Sequence, residues 1–527
     1  LEEKKYAKSF SEQLTLRGLI IGAIGSIIIT TSSMYVALRM GALPWPTIFV
    51  AVLSITLLKL LGRTNLNEIN VTHTAMSAGA MIAGGIAFTI PGIWMLLPNP
   101  DVSITALIVV TVSGAVLGVI FTAMVRKHFI EKESLPFPMG IAASETVLAG
   151  DEGGSKAKYL FSTMGLTAVF TIVRDWFGKI PAAWIPAGLE SKNLFFGIWI
   201  SPMASAIGYI IGSLYTGVWF IGAILSYFII IPLGIKFGFF NTVEIAAAFK
   251  NSLGIGLMVG TGIGILLKSI IPRAREIYGS LSLRWAPLLF AVIAFLLVTF
   301  TGIGLFPALV TIVGVWITTA MAASITGQTA VNPMEVFGII VLLAVRVLFH
   351  TGVIESFFIA GVAAAACGLT GDILNDFKSG HILRTDPKAQ IISESVGAII
   401  GAVVSVIALV IMLKAYGQVG PGTMLPAPQA YAVSRMISGL PNATAFLAGL
   451  VLGVILYLLN IPGMTLGIGI YLPMTISSAV FVGGIIRWIE TKRGIKSDKG
   501  MIIASGMLGG EGVAGVAIAI LKVFSIG

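Results

Sequence analysis

Between Arg284 and Glu335 the chain carries no Asp, Glu, Lys or Arg, and the same holds between Lys192 and Lys236 and between Arg435 and Arg487. An isolated ion in hydrocarbon costs roughly 3 kcal/mol or more, whereas an apolar helix enters freely. Each gap therefore reads as two membrane crossings of roughly 20 residues. A mean hydropathy of +0.99 and a charged fraction of 11% agree, since soluble domains carry nearer a quarter charged residues. The runs are continuously apolar, without the two-residue alternation of an outer-membrane strand, so the expected fold class is an all-α polytopic membrane protein. Breaks at Pro, Gly, Asn or charge divide it into about 16 transmembrane helices, from 14–38 through 334–349, 351–369 and 465–488 to 500–525, with 135–150 as a further short or re-entrant segment.

The 33 basic and 23 acidic residues give a net charge of +10, and topology accounts for the excess. Lys4, Lys5 and Lys8 precede the first span, Arg63 follows the second, and Arg126 with Lys127 follow the fourth. Further basic loops hold Lys268, Arg273, Arg275 and Arg284, then Lys378, Arg384 and Lys388, then Lys492, Arg493, Lys496 and Lys499. The positive-inside rule puts these segments and the N terminus in the cytoplasm, beside anionic lipid headgroups, with Arg39 as an exception. The opening LEEKKYAKSF has no apolar core and reads as a cytoplasmic tail rather than a signal peptide. The expected organisation is a tail at 1–13, an N-terminal transmembrane half at 14–272 and a C-terminal half at 273–527, in a cytoplasmic (inner) membrane. A GxTxxN pattern at Gly62–Asn67 and again at Gly327–Asn332 reads equally as a trace of duplicated halves or as chance.

Several classes drop out. No GxxxxGK[ST] run, arginine row, TVGYG filter or GxSxG elbow occurs, and the single cysteine, Cys367, cannot form an intramolecular disulfide. The four histidines, His73, His128, His350 and His381, are dispersed, so a multi-histidine metal enzyme would need assembly from remote segments and no resident metal or cofactor is assigned; the long charge-free segments offer nothing to a phosphate backbone, so no nucleic-acid partner is expected. Of the 62 glycines, Gly79, Gly84, Gly85 and the run Gly254, Gly256, Gly260, Gly262, Gly264 lie in expected spans, where small faces let helices pack closely.

Polar residues in apolar surroundings are the candidate site. Gln328, Thr329, Asn332 and Pro333, with Glu335 behind them, read as a broken helix lining a central path, or as a surface loop initiating a helix. Arg346 and His350, four apart and so on one helical face, with Glu355 nearby, suit proton movement or binding of a carboxylate-bearing solute; an interfacial ion pair is the bland alternative. Glu68 and His73 read as a wet loop or the edge of a path. Glu145, Glu244 and Glu511 are lone carboxylates, and Glu511 sits among Gly509, Gly510 and Gly512. Arg174 and Asp175 are adjacent but need not pair. Asp372, Asp376, Lys378 and His381 form a hydrophilic block after the span ending near Leu369. Mg²⁺ or Zn²⁺ is conceivable there, yet the spacing matches no hydrolase signature, and a gate or loop ion network is favoured. Tyr471 and Pro473 mark another helix start, where the tyrosine lines a path or anchors an interface.

Together, ESLPFPMGIAASETVLAG at 133–150, GQTAVNPM at 327–334, GDILNDFKSGHILRTDPKAQ at 371–390, GIGIYLPMTISSAVFVGG at 467–484 and ASGMLGGEGVAGV at 504–516 resemble the oligopeptide transporter (OPT) superfamily. The similarity is closest to its prokaryotic members and its yellow stripe-like metal-chelate branch. It covers nearly the whole chain and implies secondary-active, proton-coupled symport of small peptides or metal chelates through about sixteen helices. DFKSG at 376–380 is similar to the family's D-[LF]-K-T-G, with Ser379 in place of Thr. The NPGPFN-like motif of the fungal and plant peptide branch is absent, and Lys179, Ile180 and Pro181 match only part of KIPPR, so the resemblance does not extend to that branch's tetra- and pentapeptide specificity.

The expected function is therefore alternating-access transport rather than enzymatic turnover. The substrate lies among Gln328, Thr329, Asn332, Glu335 and Tyr471, and the ion-coupling candidates are Glu145, Arg346, His350, Glu355 and Glu511. Glu68, His73, Asp372, Asp376, Lys378 and His381 form a gate or loop network. The rivals are a metal-dependent enzyme acting on a lipid-linked substrate through Asp372, Asp376 and His381, and a passive channel. Homodimerisation through small-residue faces is allowed but not required.

Overall fold

The computed structural model describes residues 6–41, 43, 47–152, 154–189, 193–272, 286–423, 425–439, 442–494 and 498–524. Lys4, Lys5, Arg273, Arg275, Arg284 and Lys496 lie outside the described residues. Among the described residues the regular structure is helical, apart from a short antiparallel pairing of Ala183–Trp184 with Ile198–Trp199. Among the described residues, eight helices are long and apolar enough to cross a membrane, or up to nine if one bent pair counts as a single span. The sequence led to an expectation of about 16. The rest of the apolar sequence lies in shorter helices such as Thr47–Leu60, Pro202–Ile211 and Ala286–Thr301, or in helices interrupted midway.

Two differences from the expected spans have physical causes. The helix expected to stop near Leu369 runs from Val353 to Ile382, about 45 Å at 1.5 Å per residue. Its Asp372 and Asp376 sit inside it because neighbouring helices enclose them. Conversely, the span expected over 465–488 is two helices, Gly463–Tyr471 and Met474–Lys492, because Pro473 has no N–H to continue the ladder. The two GxTxxN copies adopt different local structures: Asn65 caps the Leu66–Ala87 helix, while Gly327–Thr329 belong to the end of the Leu305–Thr329 helix.

Side chains set several helix starts. Thr15, Asn65, Ser201 and Asn442 each accept a hydrogen bond from the backbone N–H three residues on, satisfying donors that a helix start leaves open. Large apolar side chains such as Leu166, Phe295 and Val347 are exposed, 74%, 65% and 84% respectively, as expected of a surface that meets acyl chains rather than water.

Packing divides the helices into two groups, each drawing on both halves of the sequence. The first contains Leu16–Met40, Leu66–Ala87, Ile104–Arg126, Val353–Ile382 and Pro387–Tyr416, with Leu305–Thr329 and Met334–Leu348 packed on Val353–Ile382. The second contains Pro202–Ile211, Ser213–Ile224, Val243–Ile265, Ala443–Leu458, Gly463–Tyr471 and Met474–Lys492. The Asp498–Phe524 helix touches both, through Leu16–Met40 and Pro202–Ile211. Within each group, glycines permit backbone contact. A Cβ on Gly256 or Gly260 would stand 2.1 or 1.9 Å from the carbonyl oxygens of Phe446 and Leu450, and one on Gly449 or Gly453 would stand 2.2 Å from those of Leu253 and Leu257. In the first group, a Cβ on Gly397 would stand 2.0 Å from the Ala75 carbonyl oxygen. With no hydrophobic drive between helices in lipid, this close approach supplies much of their cohesion.

Gly260→Leu should therefore destabilise the purified protein by about 2 kcal/mol or more, seen as a lower melting temperature or a loss of folded yield. Gly217→Ala, where no heavy atom lies within 4 Å of the added carbon, should melt no lower than the parent.

Candidate functional site

Two helix breaks, one in each group, open on the same space. At the first, the Leu305–Thr329 helix ends on Ala330, whose φ of 56° lies in the left-handed region that an alanine occupies at a cost of about 1–2 kcal/mol. Asn332 pins the break to the Val353–Ile382 helix by donating from Nδ2 to the carbonyls of Cys367 (2.8 Å) and Gly368 (3.2 Å). The chain turns helical again at Met334, which places the buried Glu335 in the first turn, where exposed amides and the helix dipole favour a carboxylate.

At the second break, after Tyr471, the freed carbonyls need donors. Lys250 supplies them from the neighbouring helix: its Nζ donates to the carbonyls of Ile470 (3.1 Å) and Tyr471 (3.0 Å) and to the Tyr227 hydroxyl (2.9 Å). Ser226 adds a bond to the Ile470 carbonyl at 2.9 Å, and Tyr227 one to that of Leu472 at 3.3 Å. A buried cation at a helix C-terminus meets the negative end of the dipole. The Tyr471 hydroxyl donates to Gln429 Oε1 at 3.0 Å, and Gln429 Nε2 donates to the Gly41 carbonyl at 3.0 Å. This chain of bonds joins the second helix group to the first.

Between the breaks lies a cavity of about 540 Å³, bounded by Asn332, Glu335, Gln429, Tyr471, Arg174, Asp175 and Glu511 among mainly apolar side chains. Its volume falls in the range of small-molecule sites, roughly 300–1,000 Å³. One wall is an ion network. Arg174 Nε and Nη2 each reach an Asp175 oxygen at 2.7 Å, and Nη2 also reaches Glu511 Oε1 at 2.9 Å. Glu511 further accepts from Ser201 Oγ and, at 2.8 Å, from the Met203 N–H at the start of the Pro202–Ile211 helix. The adjacent Arg174 and Asp175 thus do pair, and Glu511 joins them from a distant part of the sequence.

The other sequence candidates lie apart from this space. Gln328 and Thr329 end their helix without bounding the cavity, Gln328 reaching Ser324 Oγ at 3.4 Å and Thr329 bonding the Ile325 carbonyl at 2.8 Å. Arg346 and His350 do not share a helical face, because the Met334–Leu348 helix ends before His350. Arg346 is exposed and donates to the Ile437 carbonyl, and His350 is exposed in the following loop. Glu355, half-buried, lies in the first turn of the next helix. Glu145 is half-buried in the Pro138–Glu152 helix, away from the cavity.

The expected gate network divides into separate clusters. Glu68 is buried under Arg17, which grips both its oxygens at 2.7 Å, with Thr15 and Thr64 donating as well. His73 faces elsewhere and meets Asp376 Oδ1 through Nε2 at 3.1 Å, while Ser77 Oγ donates to Asp376 Oδ2 at 2.8 Å. Lys378 is half-buried and His381 exposed, so neither shares the enclosed position of Asp372 and Asp376. Glu394 joins those two aspartates, the ligating atoms of all three lying within 4.8 Å of one another. At an effective dielectric of ~20 each ionised pair at that separation repels by about 3.5 kcal/mol, so the cluster must be relieved by protons or by a bound cation.

Lys250 and Glu394 are functional candidates that the sequence reading missed. Lys250 is the only charge between Glu244 and Lys268, and that isolation in an apolar, glycine-rich run was its available signal. Glu394 gave none, because its neighbours come from other helices.

Comparison with known proteins agrees with this architecture. The family described as OPT oligopeptide transporter protein matches residues 13–270 and 272–522. A Haemophilus influenzae protein named as an oligopeptide transporter is 24% identical, over 94% of this chain and 93% of its own. An Oryza sativa subsp. japonica protein named as a metal-nicotianamine transporter is 21% identical, over 97% of this chain and 85% of its own. A second rice protein so named is 25% identical over 38% of this chain and 34% of its own. This chain, a helical bundle with interrupted helices around a mainly apolar cavity carrying a few polar groups, is matched along nearly its full length and belongs to the OPT oligopeptide transporter family.

Proposed function

We propose that this protein is a proton-coupled secondary carrier of small peptides or metal-chelate complexes, working by alternating access. The observation that carries the reading is the cavity bounded by two helix breaks contributed by separate helix groups. Discontinuous helices meeting at a cavity are how membrane carriers present backbone dipoles and polar side chains to a solute. The lining suits a solute carrying positive charge, an ammonium or a chelated cation: the Arg174 network sets two carboxylates, Asp175 and Glu511, against one guanidinium, and Asn332 Oδ1 is an acceptor without a donor among the described residues. Peptides and nicotianamine-type chelates share that chemistry, and the names of the relatives point to both substrates. The protein resides in the cytoplasmic membrane with its N-terminal segment inside, and it carries solute rather than transforming it.

Glu335 is the coupling residue in this proposal. It is buried at a break, it bounds the cavity, and it lies outside the Arg174 ion network. A proton removes the charge that would otherwise resist reorientation through an apolar interior. Glu511 is less suited, because Arg174, Ser201 and the Met203 N–H already hold its charge.

In proteoliposomes, an inward proton gradient should drive accumulation of trialanine or of a metal-nicotianamine complex, with matching acidification read by an internal pH dye. Uptake indifferent to the gradient would end the coupling proposal. Glu335→Gln should cut gradient-driven accumulation at least tenfold while leaving solute counterflow. Tyr471→Phe removes one neutral hydrogen bond across the cavity and should raise the half-saturation concentration about fivefold, measured as initial uptake rate against concentration.

A further inference from the structure

Away from the cavity, Asp372 and Glu394 are fully buried, yet all four of their carboxylate oxygens lack a donor among the described residues. Buried polar atoms are nearly always paired, so four orphaned oxygens in one place call for a missing partner. Asp376 is already oriented by His73 and Ser77, and it presents an oxygen to the same point. Gln390, one helical turn before Glu394, donates to the Asp376 backbone carbonyl at 2.7 Å, and its own side-chain oxygen is also without a donor.

We propose that Asp372, Asp376 and Glu394 bind a single hard divalent cation that ties together the Leu66–Ala87, Val353–Ile382 and Pro387–Tyr416 helices. The donors are carboxylate oxygens, which select the hard class over metals that prefer sulfur. Asp372 and Glu394 supply two otherwise uncompensated charges, matching a divalent ion. Metal–oxygen bonds of about 2.0–2.6 Å place opposite ligands roughly 4–5 Å apart, which agrees with atoms lying within 4.8 Å of one another. His73 and Ser77, holding Asp376, act as the outer partners that fix a ligand's orientation. None of the three carboxylates bounds the cavity, so the ion is part of the scaffold rather than cargo. The inference stands whether or not the protein couples transport to protons.

The test uses the full chain in detergent, stripped with EDTA, exposed to Mn²⁺ and desalted. The wild type should retain one manganese per chain by elemental analysis, melt at least about 3 °C higher in 1 mM Mn²⁺, and release the manganese to excess Ca²⁺ or Mg²⁺. Asp372→Asn and Glu394→Gln keep the side-chain shape and relieve repulsion, so they should fold yet hold manganese at least tenfold more weakly and lose the metal-dependent rise. Glu335→Gln should retain both. The proposal is overturned if the wild type retains no manganese and its melting point ignores divalent ions, or if Na⁺ alone gives the same rise. It is equally overturned if Glu335→Gln abolishes retention while Glu394→Gln does not, since the ion would then belong to the cavity.

Discussion

A formal charge enclosed by apolar helices must be met by an opposite charge, a dipole or a bound ion, and this requirement organises the interior. Arg17 and Glu68 meet at one end of the first helix group, and Arg174 meets Asp175 and Glu511 beside the cavity. Lys250 uses the carbonyls freed by a helix break instead of a carboxylate. Asp376 has a histidine and a serine. Among the described residues, the Asp372 and Glu394 carboxylates in the scaffold are buried without a donor, whereas Glu335 at the cavity is met by the helix start it opens.

The breaks follow from the same requirement. A helix satisfies its backbone internally, so interrupting one inside a bundle exposes carbonyls and amides that must be bonded again. At the first break Thr329 Oγ1 accepts from the freed Val331 N–H and Asn332 holds the turn against another helix, while Lys250 and Ser226 bond the carbonyls freed at the second. The anchoring by Asn332 and Lys250 depends on helices close enough to reach, and the glycine contacts provide that closeness. Gly254 and Gly467, for example, bring the Lys250 helix against the half-helix whose end it caps.

Much of this was legible in the sequence, and what was not has a common cause. Charge-free stretches imposed by the solvent identified a helical membrane protein, and Pro333 and Pro473 marked where helices are interrupted, because those signals are local. The pairing of His73 with Asp376 joins residues 303 apart in sequence, and the convergence of Glu394 on Asp372 depends on which faces two long helices turn to each other. No spacing rule encodes that. Adjacency misled in the opposite sense: Arg346 and His350 have helical spacing, but the helix ends between them, after Leu348. Asp372 and Asp376 looked like a loop because they are polar, whereas enclosure by neighbouring helices keeps them in one.

The division of labour between the two groups bears on the alternating access proposed for this carrier. Glycine-mediated backbone contact makes each group stiff within itself, because a shift there would open voids or force carbonyls together. Across the cavity the links are sparser and more polar: the Tyr471–Gln429 bond, and the Arg174 network reached through the Asp498–Phe524 helix. Hydrogen bonds and ion pairs can exchange partners with water or solute, while interlocked backbones cannot. Motion is therefore cheapest along the surface where the cavity lies, with one break carried on each side. In the proposed cycle, a solute that engages the carboxylates of the Arg174 network would replace some of those links with its own, so the loaded and empty forms need not differ greatly in energy.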